Sequence, residues 1–304
     1  MATLSFSDPS RLTEYQRRLG EAVDAPFKKR LLATCMVPSS HQTGYRADNP
    51  PYLKTTECGQ VDALQDLFQR MTRSNGVLLG FANEFNYNIL AIRRMERAII
   101  CDINKRMHTF YKWVANNIKK YDSPEEFLQA LKSEIDSNPE YYLRFPPTSE
   151  ELITHYQQDF MWTSNVTSYQ KVREMYMNGQ IIHSNLDLIN DSAYFDDLRL
   201  WAEQNGYVFD SVYVSNIFEW AERSGGSSVN KAKENLLKIL SPDTLFIDAK
   251  QEFYETGEPK LRITTGIKSL DDFPSFKPSR KRKATTDSSS TTERITGLRP
   301  KTLF

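Results

Sequence analysis

Glycine is scarce where a nucleotide-binding chain would use it. The 304 residues contain 12 glycines, and none lies between Gly80 and Gly179. No Gly-x-Gly-x-x-Gly occurs. The close backbone approach that a dinucleotide pyrophosphate needs is therefore missing, which counts against a nicotinamide-dependent oxidoreductase. Cysteine is sparse too. Cys35, Cys58 and Cys101 stand at irregular spacing and form neither a disulfide framework nor a zinc pattern. The four histidines are scattered, so spacing gives no metal site. Charge is balanced, with 39 Lys+Arg against 39 Asp+Glu, so the whole chain has no basic bias toward nucleic acid. The beginning of the sequence, MATLSFSDPSR, has no apolar run of signal-peptide length, and nothing approaches a membrane span. The expectation is a soluble, cytoplasmic protein of a reducing compartment, with no membrane partner.

Aromatics are plentiful, with 15 Tyr and 17 Phe, and they support a sizeable core. The stretch Val77 to Asn104 organises the rest. Val77-Leu78-Leu79 is an apolar run closed by Gly80, and it reads as a buried strand and a tight turn. Tyr87, Leu90, Ala91 and Arg94 then share one helical face. Ala98 to Cys101 is a second apolar run, ending on Asp102. Two buried runs joined by a helix form a βαβ unit. Asp102 lies 22 residues after Gly80. In nucleotide-binding α/β folds an acid about 20 residues past the turn accepts hydrogen bonds from ribose hydroxyls.

Three regions are expected. Residues 1–58 read as a helical extension and loop: Asp8-Pro9-Ser10 starts a helix with Leu12, Tyr15 and Leu19 on one face, and a second piece carries Phe27, Leu31 and Leu32. Residues 59–270 form the α/β domain. A helix over 59–72 carries a core stripe of Val61, Leu64, Leu67, Phe68 and Met71. A helical insertion spans about 121–179, with helix starts at Ser123-Pro124 and Thr148 and a stop at Gly179. Its aromatics, among them Tyr142, Tyr156, Phe160, Trp162 and Tyr169, suit either a substrate lid or a stabilising cap. Later strands are expected at Gln180–His183, Ser211–Ser215, Thr244–Ile247 and Lys260–Thr264, the last antiparallel. Strands alternating with helices predict an open, mostly parallel, three-layer sheet. Residues 271–304 have few apolar positions and read as a disordered basic, Ser/Thr-rich tail. Arg280-Lys281-Arg282-Lys283 reads either as a nuclear-import or nucleic-acid-contact signal or as plain solvated charge.

Strand, Gly80 turn, helix and strand ending in Asp102 resemble the class I S-adenosylmethionine-dependent methyltransferase fold, a Rossmann-like α/β sheet. Leu79-Gly80, Glu84, Asn86-Tyr87, Cys101-Asp102-Ile103, Arg144-Phe145, Tyr169 and Val212 to Ile217 resemble a poorly characterised bacterial methyltransferase-like family. The Ser/Thr-rich end closing on Leu303-Phe304 resembles export signals of bacterial effectors, which implies delivery into a host cell. The methyltransferase resemblance implies S-adenosylmethionine as cofactor. Gly80 would pass under its methionine part, and Glu84 would meet its amino group. Asn86 would cap the next helix, beside Tyr87. Asp102 would hold the ribose, and Asn185 and Asp187 would approach adenine. Ser215 and Asn216 would hold the methyl acceptor, a small molecule or a protein, with Trp220 near that mouth or packed for structure. The sequence departs from the family in its turn: Phe81, Ala82 and Asn83 follow Gly80, so side chains crowd the cofactor's space. Residues 215–217 also lack the Asn-Pro-Pro-aromatic motif of amino-methylating enzymes, so N-methylation of DNA is not supported. The first expectation is a methyltransferase; the second is a non-catalytic binding or scaffold protein of that fold.

Overall fold

A computed structural model describes residues 51, 53, 54, 57, 59–82, 84–142, 148–223, 226–250 and 260–265. The expected helices before residue 37, most of the following loop, the Arg144-Phe145 pair and the tail with its basic run lie outside the described residues.

The elements in chain order are α1 (Gln60–Gln69), β1 (Gly76–Phe81), α2 (Phe85–Ile92), β2 (Arg97–Cys101), α3 (Lys105–Asn117), α4 (Pro124–Ser137), α5 (Pro139–Tyr142), α6 (Ser149–Tyr156), α7 (Val166–Met177), β3 (Ile181–Ser184), α8 (Ser192–Asn205), β4 (Val208–Ser215), α9 (Ile217–Arg223), α10 (Gly226–Leu237), β5 (Leu245–Lys250) and β6 (Lys260–Thr265). The sheet order is β3-β2-β1-β4-β5-β6. β1 to β5 are parallel, and β6 runs antiparallel to β5. This is a mostly parallel Rossmann-like sheet of methyltransferase type. Its strand order reverses between β1 and β4, where open α/β sheets bind ligands.

Side-chain alternation builds the three layers. Leu78, Ala98, Ile100, Tyr213 and Ile247 face one way, against α1 to α7. Val77, Leu79, Ile99, Val212 and Phe246 face the other way, against α8 to α10. Local signals start and stop the helices. Ser123 accepts from Glu126 N–H, with Pro124 in the first turn of α4. Thr148 and Glu151 form a full capping box on α6. Gly179 and Gly206 take the left-handed conformation just after α7 and α8. Cys101 is a fully buried core thiol.

Three expectations need correction. Gly80 lies inside β1 and is not among the residues with positive φ; the turn begins at Ala82, whose φ is 65°. The helix after it stops at Ile92, so Arg94 is off its face and exposed. The α1 stripe is only half core: Leu64 and Leu67 are buried, Val61 and Phe68 are 43% and 73% exposed, and Met71, 93% exposed, lies beyond the helix end at Gln69. α1 covers the sheet on a narrow line, and the rest of its apolar width faces outward.

The helices between α3 and β3 join the α2 side of the core. Trp162 packs 5.1 Å from Tyr87, 5.4 Å from Phe127 and 5.9 Å from Tyr169, ring to ring. These aromatics are therefore core, which is what a stabilising cap requires. Among the described residues no helix is long and apolar enough to cross a membrane.

Candidate functional site

The ends of the two strands at the reversal carry left-handed residues that are not glycine: Ala82 after β1 and Ser215, φ 51°, closing β4. Such residues are uncommon, and they persist where surroundings hold them. Ala82 N–H donates to Cys101 O at 3.0 Å, and Tyr111 Oη donates to Ala82 O. The β4–β5 register slips between Tyr213 and Ser215, so Val214 is the extra residue of a bulge while Ser215 pairs with Asp248. The Ser215 hydroxyl donates to the carboxylate of Glu57, which is buried over this strand end.

Asp102 stands at the tip of β2 and is 8% exposed. Its N–H donates to Ser184 O at 3.1 Å, tying it to the end of β3. Its Oδ1 accepts from Asn104 N–H at 2.7 Å. Asn104 in turn caps α3 by accepting from Arg106 N–H at 2.9 Å. Burial pushes the Asp102 carboxyl up to about 7, against the opposing pull of the Asn104 and Ile103 N–H groups.

A polar cluster surrounds this end of the sheet on the α2–α3 side. His108 Nε2 lies 2.7 Å from Asp102 O. Tyr111 stacks on His183, ring centroids 4.5 Å apart. Tyr176 Oη is 2.9 Å from His183 Nε2 and 2.7 Å from Tyr87 Oη. Burial holds His183 down to about 3, with His108 nearby adding to it, so its ring is neutral near pH 7. Burial also raises the Tyr111 hydroxyl, and the Asp102 charge adds to it. The arrangement can hold neutral hydrogen-bonding groups in a dry setting. Among the described residues no group of three or more His, Cys, Asp or Glu could hold a metal ion.

The residues singled out from sequence divide into three groups. Asp102, Asn185, Ser215 and Asn216 lie at the ends of β2, β3 and β4. Asn185 is 8% exposed, and Asn216 opens α9 through its carbonyl, which accepts from Glu219 N–H at 3.1 Å. Gly80, Asn86 and Tyr87 are packing residues. A Cβ on Gly80 would lie 2.7 Å from Asn86 Cγ and closer still to its Oδ1. Asn86 is thus not the cap expected; Glu84 holds that position, without a side-chain bond, while Asn86 Nδ2 donates to Phe81 O at 3.1 Å. Glu84 and Asp187 are engaged within the chain. Glu84 Oε1 sits 3.3 Å from His155 Nε2 of α6, and both side chains are buried. Asp187 accepts from Ile189 N–H at 2.8 Å and from Asn190 Nδ2 at 2.7 Å, which builds the turn after β3. Trp220 is 46% exposed on α9.

Sequence reasoning missed Glu57, His108, Tyr111, His155, Tyr176 and His183. One signal was available: His108 and Tyr111 sit three apart on the helix that begins after Asp102, so they share its face. Nothing local pairs Glu57 with Ser215, 158 residues away.

A family model described as Domain of unknown function (DUF7790) matches residues 59–142. No curated protein matches. Two solved structures of the rRNA methyltransferase aviRa from Streptomyces viridochromogenes are similar, each with a TM-score of 0.36. One is 13% identical over 71% of this chain and 86% of the other; the second is 15% identical over 75% and 90%. A likeness this distant carries no argument about function, and the methyltransferase-type fold stands on the strand order and the antiparallel last strand.

Proposed function

We propose that the chain binds S-adenosylmethionine at the ends of β1, β2 and β3 and acts as a methyltransferase of unknown acceptor. The observation that carries this is Asp102: a buried carboxylate at the tip of β2, one strand from the reversal of strand order. A carboxylate offers the paired acceptors that a ribose diol needs. Asn185, next along at the β3 end, would approach the adenine. Ser215 and Asn216, at the β4 end, would face the acceptor. When bound, the cofactor would supply an electrophilic methyl group, and the protein's part would be positioning and exclusion of water.

The residues fit the nucleoside half of this cofactor and not, as packed, its methionine half. Asn86 covers Gly80, Glu84 lies against His155, and Tyr111 pins the Ala82 carbonyl. No transfer step follows from this packing. The same closure favours a second reading, a non-catalytic protein of methyltransferase fold that acts by binding. Delivery into a host cell, and nuclear or nucleic-acid contact through residues 280–283, remain proposals on sequence grounds.

Titration of the full chain with S-adenosylmethionine, its demethylated product and adenosine separates the readings. Both cofactor forms binding, with loss in Asp102→Ala, supports the first. Adenosine binding as tightly as S-adenosylmethionine supports the second, because the methionine part then contributes nothing. No binding of any ligand at millimolar concentration sinks the first.

A further inference from the structure

The outward side of α1 borders an apolar groove with no cover among the described residues. Val61, Leu64, Phe68, Ala91, Ile92 and Phe160 are among its lining, and it measures about 390 Å³. A second hollow of about 250 Å³ continues from it through Val61 and Phe160. Phe68, at 73% exposure, is a large apolar side chain beside a concave apolar surface, the combination that marks a docking site. Acids flank both hollows: Asp159 lines the first and Asp62 the second.

We infer that this groove is the seat of residues 9–35 of the same chain, docked through Leu12, Tyr15 and Leu19. Three observations favour this occupant over a foreign one. The first is where the upstream chain arrives. Leu53 is buried, and its carbonyl accepts from Tyr156 Oη at 2.8 Å, so residue 53 is pinned at the end of α6. Phe160 and Met161, just beyond α6, line the groove. The second is reach. Residues 36–50 span up to about 50 Å when extended. The ten residues of α1 measure about 15 Å. The third is complementarity. Leu12, Tyr15 and Leu19 have the i, i+3, i+7 spacing by which amphipathic helices enter grooves. Residues 10–30 hold six Lys or Arg against three Asp or Glu, a net charge of +3 to meet the acidic rim. The inference does not rest on the cofactor reading, and either can fail alone.

The test is site-specific photocrosslinking in the full chain, with a benzoyl-phenylalanine in place of Phe68 and, separately, in place of Val61. Both positions are exposed, so folding should be preserved, which circular dichroism checks. The expected result is a crosslink within one chain, mapped by mass spectrometry to residues 9–35, from both probes. Adducts joining two copies would overturn the inference and make the face a dimer contact. Adducts to residues 271–304, or none above the level of a probe at Leu200, would overturn it as well.

Discussion

The amide of Asn86 rests on the bare Cα of Gly80, in the place a β-carbon would occupy. Helix α2 approaches β1 closely at this point, and Asn86 Nδ2 closes the contact on Phe81 O. Gly80 therefore serves helix–strand packing, one of the uses glycine has in such folds. Replacement by alanine should cost about 1–3 kcal/mol, the usual range for an overpacked core. In an Asn86→Ala background most of that cost should vanish, because the group met by the new methyl is gone. Urea unfolding of the two single variants and the double variant checks the coupling. Equal costs in both backgrounds would refute the contact.

At the opposite end of the strands, Arg93 and Asp210 form a buried pair at 2.7 Å. Arg93 also donates to the carbonyls of Leu67, Arg70 and Met71, which satisfies the end of α1. Asp210 accepts from Arg73 N–H at 3.0 Å. Asp210→Ala leaves a buried guanidinium without its counter-charge and should cost about 3–5 kcal/mol. Chemical denaturation reads this directly, and a loss below about 1 kcal/mol would contradict it.

Asp102 gives a pH signature. Its carboxyl is raised from 3.8 to about 7, so the folded protein keeps a proton that the unfolded chain releases between those values. The contribution to stability is full below 3.8 and is lost as pH rises through about 7. Asp102→Asn cannot titrate. It should be more stable than the parent at pH 8, by on the order of 1–4 kcal/mol, and nearly equal to it at pH 4. Unfolding curves at the two pH values decide; a difference independent of pH would contradict the buried-carboxyl account.

His183 works in the other direction. Its folded value is lowered from 6.5 to about 3, so below 6.5 the unfolded chain takes a proton that the fold refuses. Stability should fall as pH drops from 6.5 toward 3. His183→Gln should flatten that fall while keeping an acceptor for Tyr176 Oη. Acid titration followed by tryptophan fluorescence tests it. Tyr176→Phe, which removes the link between Tyr87 and His183, should cost about 1–3 kcal/mol.

Much of the fold was legible because its signals are local. Apolar runs at Val77, Ala98 and Ser211 gave the central strands, and Ser123, Thr148 and Gly179 marked helix ends by chemistry that acts over four residues. The α1 stripe misled because periodicity shows that a face is apolar and not what covers it; Phe68 has the same spacing whether buried or bare. Gly80 misled because a glycine after an apolar run suits a turn and a close helix contact equally, and only the position of Asn86 separates them. The site was legible in part. Asp102 follows from strand-end position, whereas the Glu84–His155 and Ser215–Glu57 contacts join residues 71 and 158 positions apart and leave no trace in local pattern.

The most direct test of the central claim is calorimetric titration of S-adenosylmethionine into the full chain at pH 8, above the Asp102 value, with Asp102→Ala beside it. The account predicts micromolar binding by the parent and none by the variant. Silence from both at millimolar ligand, or equal binding by both, would contradict it.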